Sequence, residues 1–175
     1  MRHWIIASGL AVTALVASGA PAYAQQDAWI TMKTKISLMT AENISTSDLN
    51  VDTVNGVVTL HGKVESAAEK SNAERVASGI DGVKSVQNLL QVVAPSARRA
   101  TEDTDDVVKS RVDAAFKNNR TIDQSGIKVQ SVNKGVVLLA GKTDSLEAHL
   151  DAVQLANAVS GVRRVASEVQ VTAGT

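Results

Sequence analysis

The 175-residue chain contains no cysteine, so neither a disulfide nor a thiolate metal site is available to it. Aromatic residues are nearly missing: two tryptophans, one tyrosine and one phenylalanine. A reader of single-stranded nucleic acid stacks bases on aromatic platforms. Beyond residue 24 only Trp29 and Phe116 could serve, and Phe116 sits at a core position, so no nucleic-acid partner is expected. Net charge is also absent, with 18 Lys and Arg against 18 Asp and Glu. No global field draws the chain to nucleic acid or anionic lipid, and any such attraction has to come from a local patch. The two histidines beyond the N-terminal segment, His61 and His149, occupy non-equivalent positions and do not form a metal-binding pair. His61 alternates with Val57 and Thr59, which predicts an exposed strand residue. The serines lack a nucleophile-elbow setting, and Gly56 and Gly62 are too far apart to cradle a phosphate. No catalytic, metal-binding or cofactor-binding residue is expected, and the chain reads as a non-enzyme.

The N-terminus has the layout of a secretory signal peptide. A short polar start at Arg2-His3 precedes an apolar run from Trp4 to Ala17, and Ala22-Tyr23-Ala24 forms a small-x-small cleavage site. Residues 1–24 are therefore expected to be removed after Ala24 on export to the periplasm. An uncleaved anchor is the alternative, which Gly19 and Pro21 disfavour.

The chain beyond this segment repeats itself. Gly56-Val57-Val58-Thr59-Leu60-His61-Gly62-Lys63 returns 79 residues later as Gly135-Val136-Val137-Leu138-Leu139-Ala140-Gly141-Lys142. The same offset relates Gly82-Val83 to Gly161-Val162 and Gln91-Val92 to Gln170-Val171. Upstream the offset falls by one, which one inserted residue, Lys134 in the turn, would explain. The chain thus divides into modules over 27–94 and 105–173, joined by a linker over 95–104 whose charges should be solvated. Modules of this size bury limited apolar surface, so one copy is expected to pack on the other.

Each copy predicts helix, strand, strand, helix, strand. Val108, Val112, Ala115 and Phe116 share one helix face. Asn55-Gly56 and Asn133-Lys134-Gly135 are the turns, and Val58, Leu60, Val137 and Leu139 should face inward. Ser66 through Glu69 and Asp144 through Glu147 carry capping signatures before the second helices. Ala73, Val76, Ala77 and Ile80, matched by Ala152, Leu155, Ala156 and Val159, trace the buried stripe. The last strands should run over 83–92 and 162–171. The expected fold class is α+β: two tandem small modules, each with two helices packed on one face of a small mixed sheet.

Gly56-Val57-Val58-Thr59-Leu60-x-Gly62 followed by Gly82-Val83-x-x-Val86, with Gly135 through Gly141 and Gly161-Val162-x-x-Val165, resembles the BON domain family. Thr34 departs from the usual apolar residue of the first helix. Two such domains behind a signal peptide look like osmotically inducible, envelope-stress periplasmic proteins. The resemblance implies binding or stabilisation of phospholipid membranes and brings no catalytic motif. The alternative is a structural or chaperone-like module that holds envelope proteins; oligomeric state and module orientation are left open.

The copies differ most in their first helices. At ~100° per residue, Ile30, Thr34, Ser37 and Leu38 align with the core face of the second copy. Trp29, Met32, Ile36 and Met39 lie on the other side, where the second copy has Val107, Ser110, Ala114 and Lys117. This ridge is either the true core face, a surface packed on the second module, or a contact for lipid or protein. Lys109, Arg111, Lys117 and Arg120 form a competing lipid-facing surface on the first helix of the second copy.

Overall fold

The computed structural model describes residues 22–172. The leader expected over 1–24 falls, up to residue 21, outside the described residues. The first module contains α1 (Ala22–Thr40), β1 (Leu49–Val54), β2 (Val57–Val64), α2 (Ala67–Ser78), β3 (Ser85–Asn88) and β4 (Gln91–Val92). The second contains α3 (Arg98–Asn118), α4 (Arg120–Asp123), β5 (Gly126–Asn133), β6 (Val136–Thr143), α5 (Leu146–Ala158), β7 (Arg164–Ser167) and β8 (Gln170–Val171). In each, the long second strand is central. β2 runs antiparallel to β1 and parallel to β3 and β4, and β6 stands likewise to β5, β7 and β8. The helix after the central strand is the crossover that parallel pairing requires.

Alternation along the central strand sorts its side chains between two faces. Val58 and Leu60 face the helices in the first module, Val137 and Leu139 in the second, and all four are fully buried. Ala73 and Ala77, like Ala152 and Ala156, bring the crossover helix close to the sheet. Ile30 and Leu38 close the first core; Val108, Val112 and Phe116 close the second. Thr34, the departure from the apolar pattern, is buried with them and donates its hydroxyl to the Ile30 carbonyl at 2.8 Å. Glycine is required where backbones cross. A Cβ at Gly62 would fall on the Asp48 carbonyl, and one at Gly141 on that of Gly126. This crossing is why glycine closes the apolar strand in both copies.

Several local expectations change. Both hairpins turn in two residues, Asn55-Gly56 and Lys134-Gly135, all four with positive φ. The extra residue of the second copy is therefore not in the turn. It is Gln130, a β-bulge where pairing passes from Val129↔Leu139 to Ser131↔Leu138. The second crossover helix is capped by Ser145, which accepts from the Ala148 N–H at 3.0 Å, and not by Asp144. In the first copy Ser66 caps as expected, accepting from the Glu69 N–H at 3.1 Å. Glu69 reaches back to the N–H groups of Glu65 and Ser45, whereas Ala148 holds its place in the second copy. The last strand is broken in both modules. The Asn88 Oδ1 accepts from the Leu90 N–H, and the Ser167 Oγ from the Val169 N–H, each taking a donor out of the ladder. Asn119 caps the unforeseen α4 and so buries Ile122. Residues 98–104 are helical rather than a loop, and Arg98 pairs with Asp48 and Glu65 of the first module.

One carboxylate of each first helix holds the hairpin turn. Asp27 accepts from the N–H groups of Asn55 and Gly56 at 2.7 and 2.8 Å. Asp105 accepts from Lys134 and Gly135 at 2.8 and 3.0 Å, and it is buried inside α3 rather than placed in the linker or at the helix start. Its carboxylate also meets the buried Lys63 ammonium of the first module at 3.5 Å. Asp105→Ala removes two charge-assisted bonds and leaves Lys63 unpaired, so it should cost about 3 kcal/mol in urea denaturation. Asp27→Ala, at a more exposed site, should cost less.

Candidate functional site

Three hydrogen-bonding side chains set the rotation of α1. Besides Asp27 at the turn, the Thr31 hydroxyl donates to that of Thr53 at 2.7 Å, and the Lys33 ammonium donates to the Asp81 carbonyl at 2.9 Å. These contacts lie on or beside the face that carries Ile30, Thr34 and Leu38 into the core. The opposite face, with Trp29, Met32, Ile36 and Met39, is turned outward at 45–70% exposure. The ridge is therefore neither the core face nor packed on the second module. Contiguous exposed apolar side chains of this kind mark contact surfaces. Lys33 and Lys35 are the cations nearest along the helix. Among the described residues no helix is long and apolar enough to cross a membrane.

The basic residues singled out on the second module do not converge. Lys109 pairs with Asp113 at 2.7 Å, and Arg111 donates to the Ser160 carbonyl at 3.3 Å. Lys117 and Arg120 are exposed, the latter on α4 rather than on α3. Of the positions matching the ridge, Val107 is exposed as a single apolar residue.

A second site went unseen in the sequence. Each sheet has a back face away from its helices, and these back faces meet. Thr59, His61 and Lys63 are buried at 1, 5 and 8% exposure, which overturns the expectation that His61 points to solvent. Leu89 packs against Leu138 and Ala166. In the repeat register Leu89 corresponds to Glu168, Leu138 to Thr59 and Ala166 to Gln87. The contacts are reciprocal, as across a twofold axis: Glu168 in turn lies beside Thr59, and Gln87, which accepts from the Thr59 hydroxyl at 3.5 Å, lines the same cleft. One half of the interface is apolar, and its counterpart is polar.

The polar part gathers titratable groups. The His61 Nε2 lies 2.9 Å from the Asp52 Oδ2, and the bulged Gln130 donates to that oxygen at 3.3 Å. The hydrogen bond from His61 holds the Asp52 carboxyl below its ordinary range, against the opposing effect of burial. Burial raises the Glu168 carboxyl, outweighing the opposing influence of the neighbouring Thr59 hydroxyl. The His61 Nδ1 and Glu168 Oε1 have no hydrogen-bond partner. His149 stands apart, 2.8 Å from the Ser167 hydroxyl. Among the described residues no group of three His, Asp or Glu side chains is placed to hold a metal ion.

The sign of the Glu168 effect comes from linkage. A carboxyl with a raised folded pKa binds its proton more tightly when folded, so stability falls as pH rises from its ordinary 4.5 through the raised value. Glu168→Gln keeps the size and shape of the side chain without the charge. It should raise the Tm at pH 7, with the gain vanishing at pH 4 in pH-resolved calorimetry. Asp52 works the other way, its stabilisation being present at neutral pH and lost as pH falls through the carboxylate range.

The comparisons with known proteins agree with the duplication. The family model described as BON domain matches twice, over residues 26–94 and 104–173. The chain is 35% identical over 150 residues to "Osmotically-inducible protein Y" of Escherichia coli (strain K12), covering 82% of this chain and 72% of that protein. It is 32% identical over 117 residues to "Outer membrane lipoprotein DolP" of Haemophilus influenzae, covering 67% of this chain but only 59% of that protein's length. The solved C-terminal domain of CdsD, a type III secretion structural protein of Chlamydia trachomatis, covers 80% of this chain and 63% of that one. Its identity is 16% and its TM-score 0.32, too low to carry an argument. Two family matches, which together span most of the chain and each fall on one of the two modules, place this chain in the BON domain family.

Proposed function

We propose that this is a non-enzymatic periplasmic protein that rests the α1 ridge on a phospholipid surface and supports the cell envelope under osmotic or related stress. The observation that carries the reading is the exposure of Trp29, Met32, Ile36 and Met39 on a helix whose rotation is fixed by its own hydrogen bonds. Trp is suited to the boundary between headgroups and acyl chains, and Met adapts to an irregular partner. The signal-peptide layout of the sequence supports a place on the envelope side of the inner membrane. The names of the relatives, one osmotically inducible and one an outer membrane lipoprotein, fit that compartment. With Lys33 bonded to a carbonyl, the ridge has little basic support, so attraction to lipid should be mainly apolar.

Co-sedimentation with vesicles of phosphatidylglycerol and cardiolipin tests this. The protein should pellet with the vesicles, and moderate salt should change the bound fraction little. In a chain cleaved after Ala24, Trp29 is the sole tryptophan, and its emission should shift to the blue on binding. Trp29→Ser with Met32→Ser should weaken partition about tenfold or more. Stability should stay within about 0.5 kcal/mol, because both side chains are exposed. Equal pelleting of the double variant, or an unshifted Trp29 emission, would refute the lipid reading. Suppression of client aggregation through the same ridge would instead support the chaperone-like alternative.

A further inference from the structure

The polar half of the inter-module interface does not close. A cleft of about 510 Å³ separates the back of the first sheet from the edge of the second, a size typical of ligand sites. Its walls are Val54, Val57, Thr59 and Gln87 on one side and the continuous run from Ser167 to Thr172 on the other. That run includes the end of β7 and all of β8, which sit at the edge of their sheet. The N–H groups of Glu168 and Thr172 are spent on the carbonyls of Leu139 and Thr143. Alternation on either side of the break then points the N–H groups of Ser167 and Val171 at the open edge, while the Val169 N–H between them is held by the Ser167 Oγ. The apolar half of the interface has Leu89 at the position of Glu168, and there the gap is filled. Among the described residues Glu168 is the only ionisable one lining the cleft, and one of its oxygens lacks a partner. The terminal torsion of a glutamate is soft, so that oxygen can turn toward an incoming donor.

We propose that this cleft binds an extended peptide segment bearing a lysine or arginine, laid as an added strand along the β7–β8 edge with its cation on Glu168. Strand addition supplies main-chain hydrogen bonds, and the valines of both walls receive alternate apolar side chains. Charge sets the preference: among the described residues the cleft offers one carboxylate and no cation. Neither module holds the site alone, because each contributes one wall.

The test is an NMR titration of the protein with the peptide acetyl-Thr-Val-Lys-Val-Thr-amide. Saturable amide shifts are expected at Thr59, Ser167, Val169 and Val171. Replacing the peptide lysine by glutamate should abolish them. Glu168→Gln, isosteric and expected to fold at least as stably, should weaken binding about tenfold, the factor of one charge-assisted hydrogen bond. The proposal is overturned if no saturable shift develops by millimolar peptide, if the shifts fall on α1 instead, or if Glu168→Gln binds equally well.

Discussion

A sheet with helices on one face has a second face to account for, and in this molecule each copy covers the back of the other. Water or a partner must cover a back face, and the choice decides which residues it can carry. Thr59, His61 and Lys63 would be ordinary solvated strand residues on a lone module. Once buried, each needs a partner: Gln87 for Thr59, Asp52 for His61, Asp105 for Lys63. The last of these crosses from one module to the other, as does the bond from Gln130 to Asp52. An unpaired buried donor or charge costs far more than a bond gains, so these pairs keep the packing in register.

The second copy has adapted to this role without changing its fold. Its bulge at Gln130 adds a residue to one strand, and that residue reaches Asp52 of the first module. Asp105 performs the turn-holding task of Asp27 and additionally accepts Lys63. Lys134, at the turn position of Asn55, extends its ammonium to the Val92 carbonyl across the interface. Arg98, at the start of α3, holds Asp48 and Glu65. A duplicated module thus became a pair by small additions along one side. The outcome is unequal: a dry half around Leu89 and an open half around Glu168.

Division of labour arises from that inequality. With both back faces engaged, a free surface has to come from the helical side or from the unfilled part of the interface. The α1 ridge is on the helical side of the first module and is held there by bonds that do not involve the ridge residues themselves. The cleft belongs to the other region and depends on both modules. The two surfaces therefore differ in what they require, one an intact first helix and the other a correctly docked pair.

Periodicity and repetition in the chain were enough for the α+β class, the two copies, and the inward placement of Val58, Leu60, Val137, Leu139 and the matched alanines. These depend on short-range rules, a period of two or 3.6 residues with turn residues between, which any stretch of chain displays directly. Aligning the copies also matched Ile30 and Leu38 to the core face of the second copy and set Trp29, Met32, Ile36 and Met39 on a second stripe, without choosing between the two. Which stripe faced inward was decided by the fit of Ile30 beside Gly82 and by the bonds of Asp27, Thr31 and Lys33 to distant residues. The burial of His61 was out of reach because it depends on a second sheet far away along the chain. The inserted residue was misplaced for a similar reason, since a one-residue gap fits equally well in a turn or a bulge until strand pairing is known. Local pattern determined the elements and their faces; tertiary contact alone decided what covers the back of each sheet, because that contact joins residues with no relation of spacing.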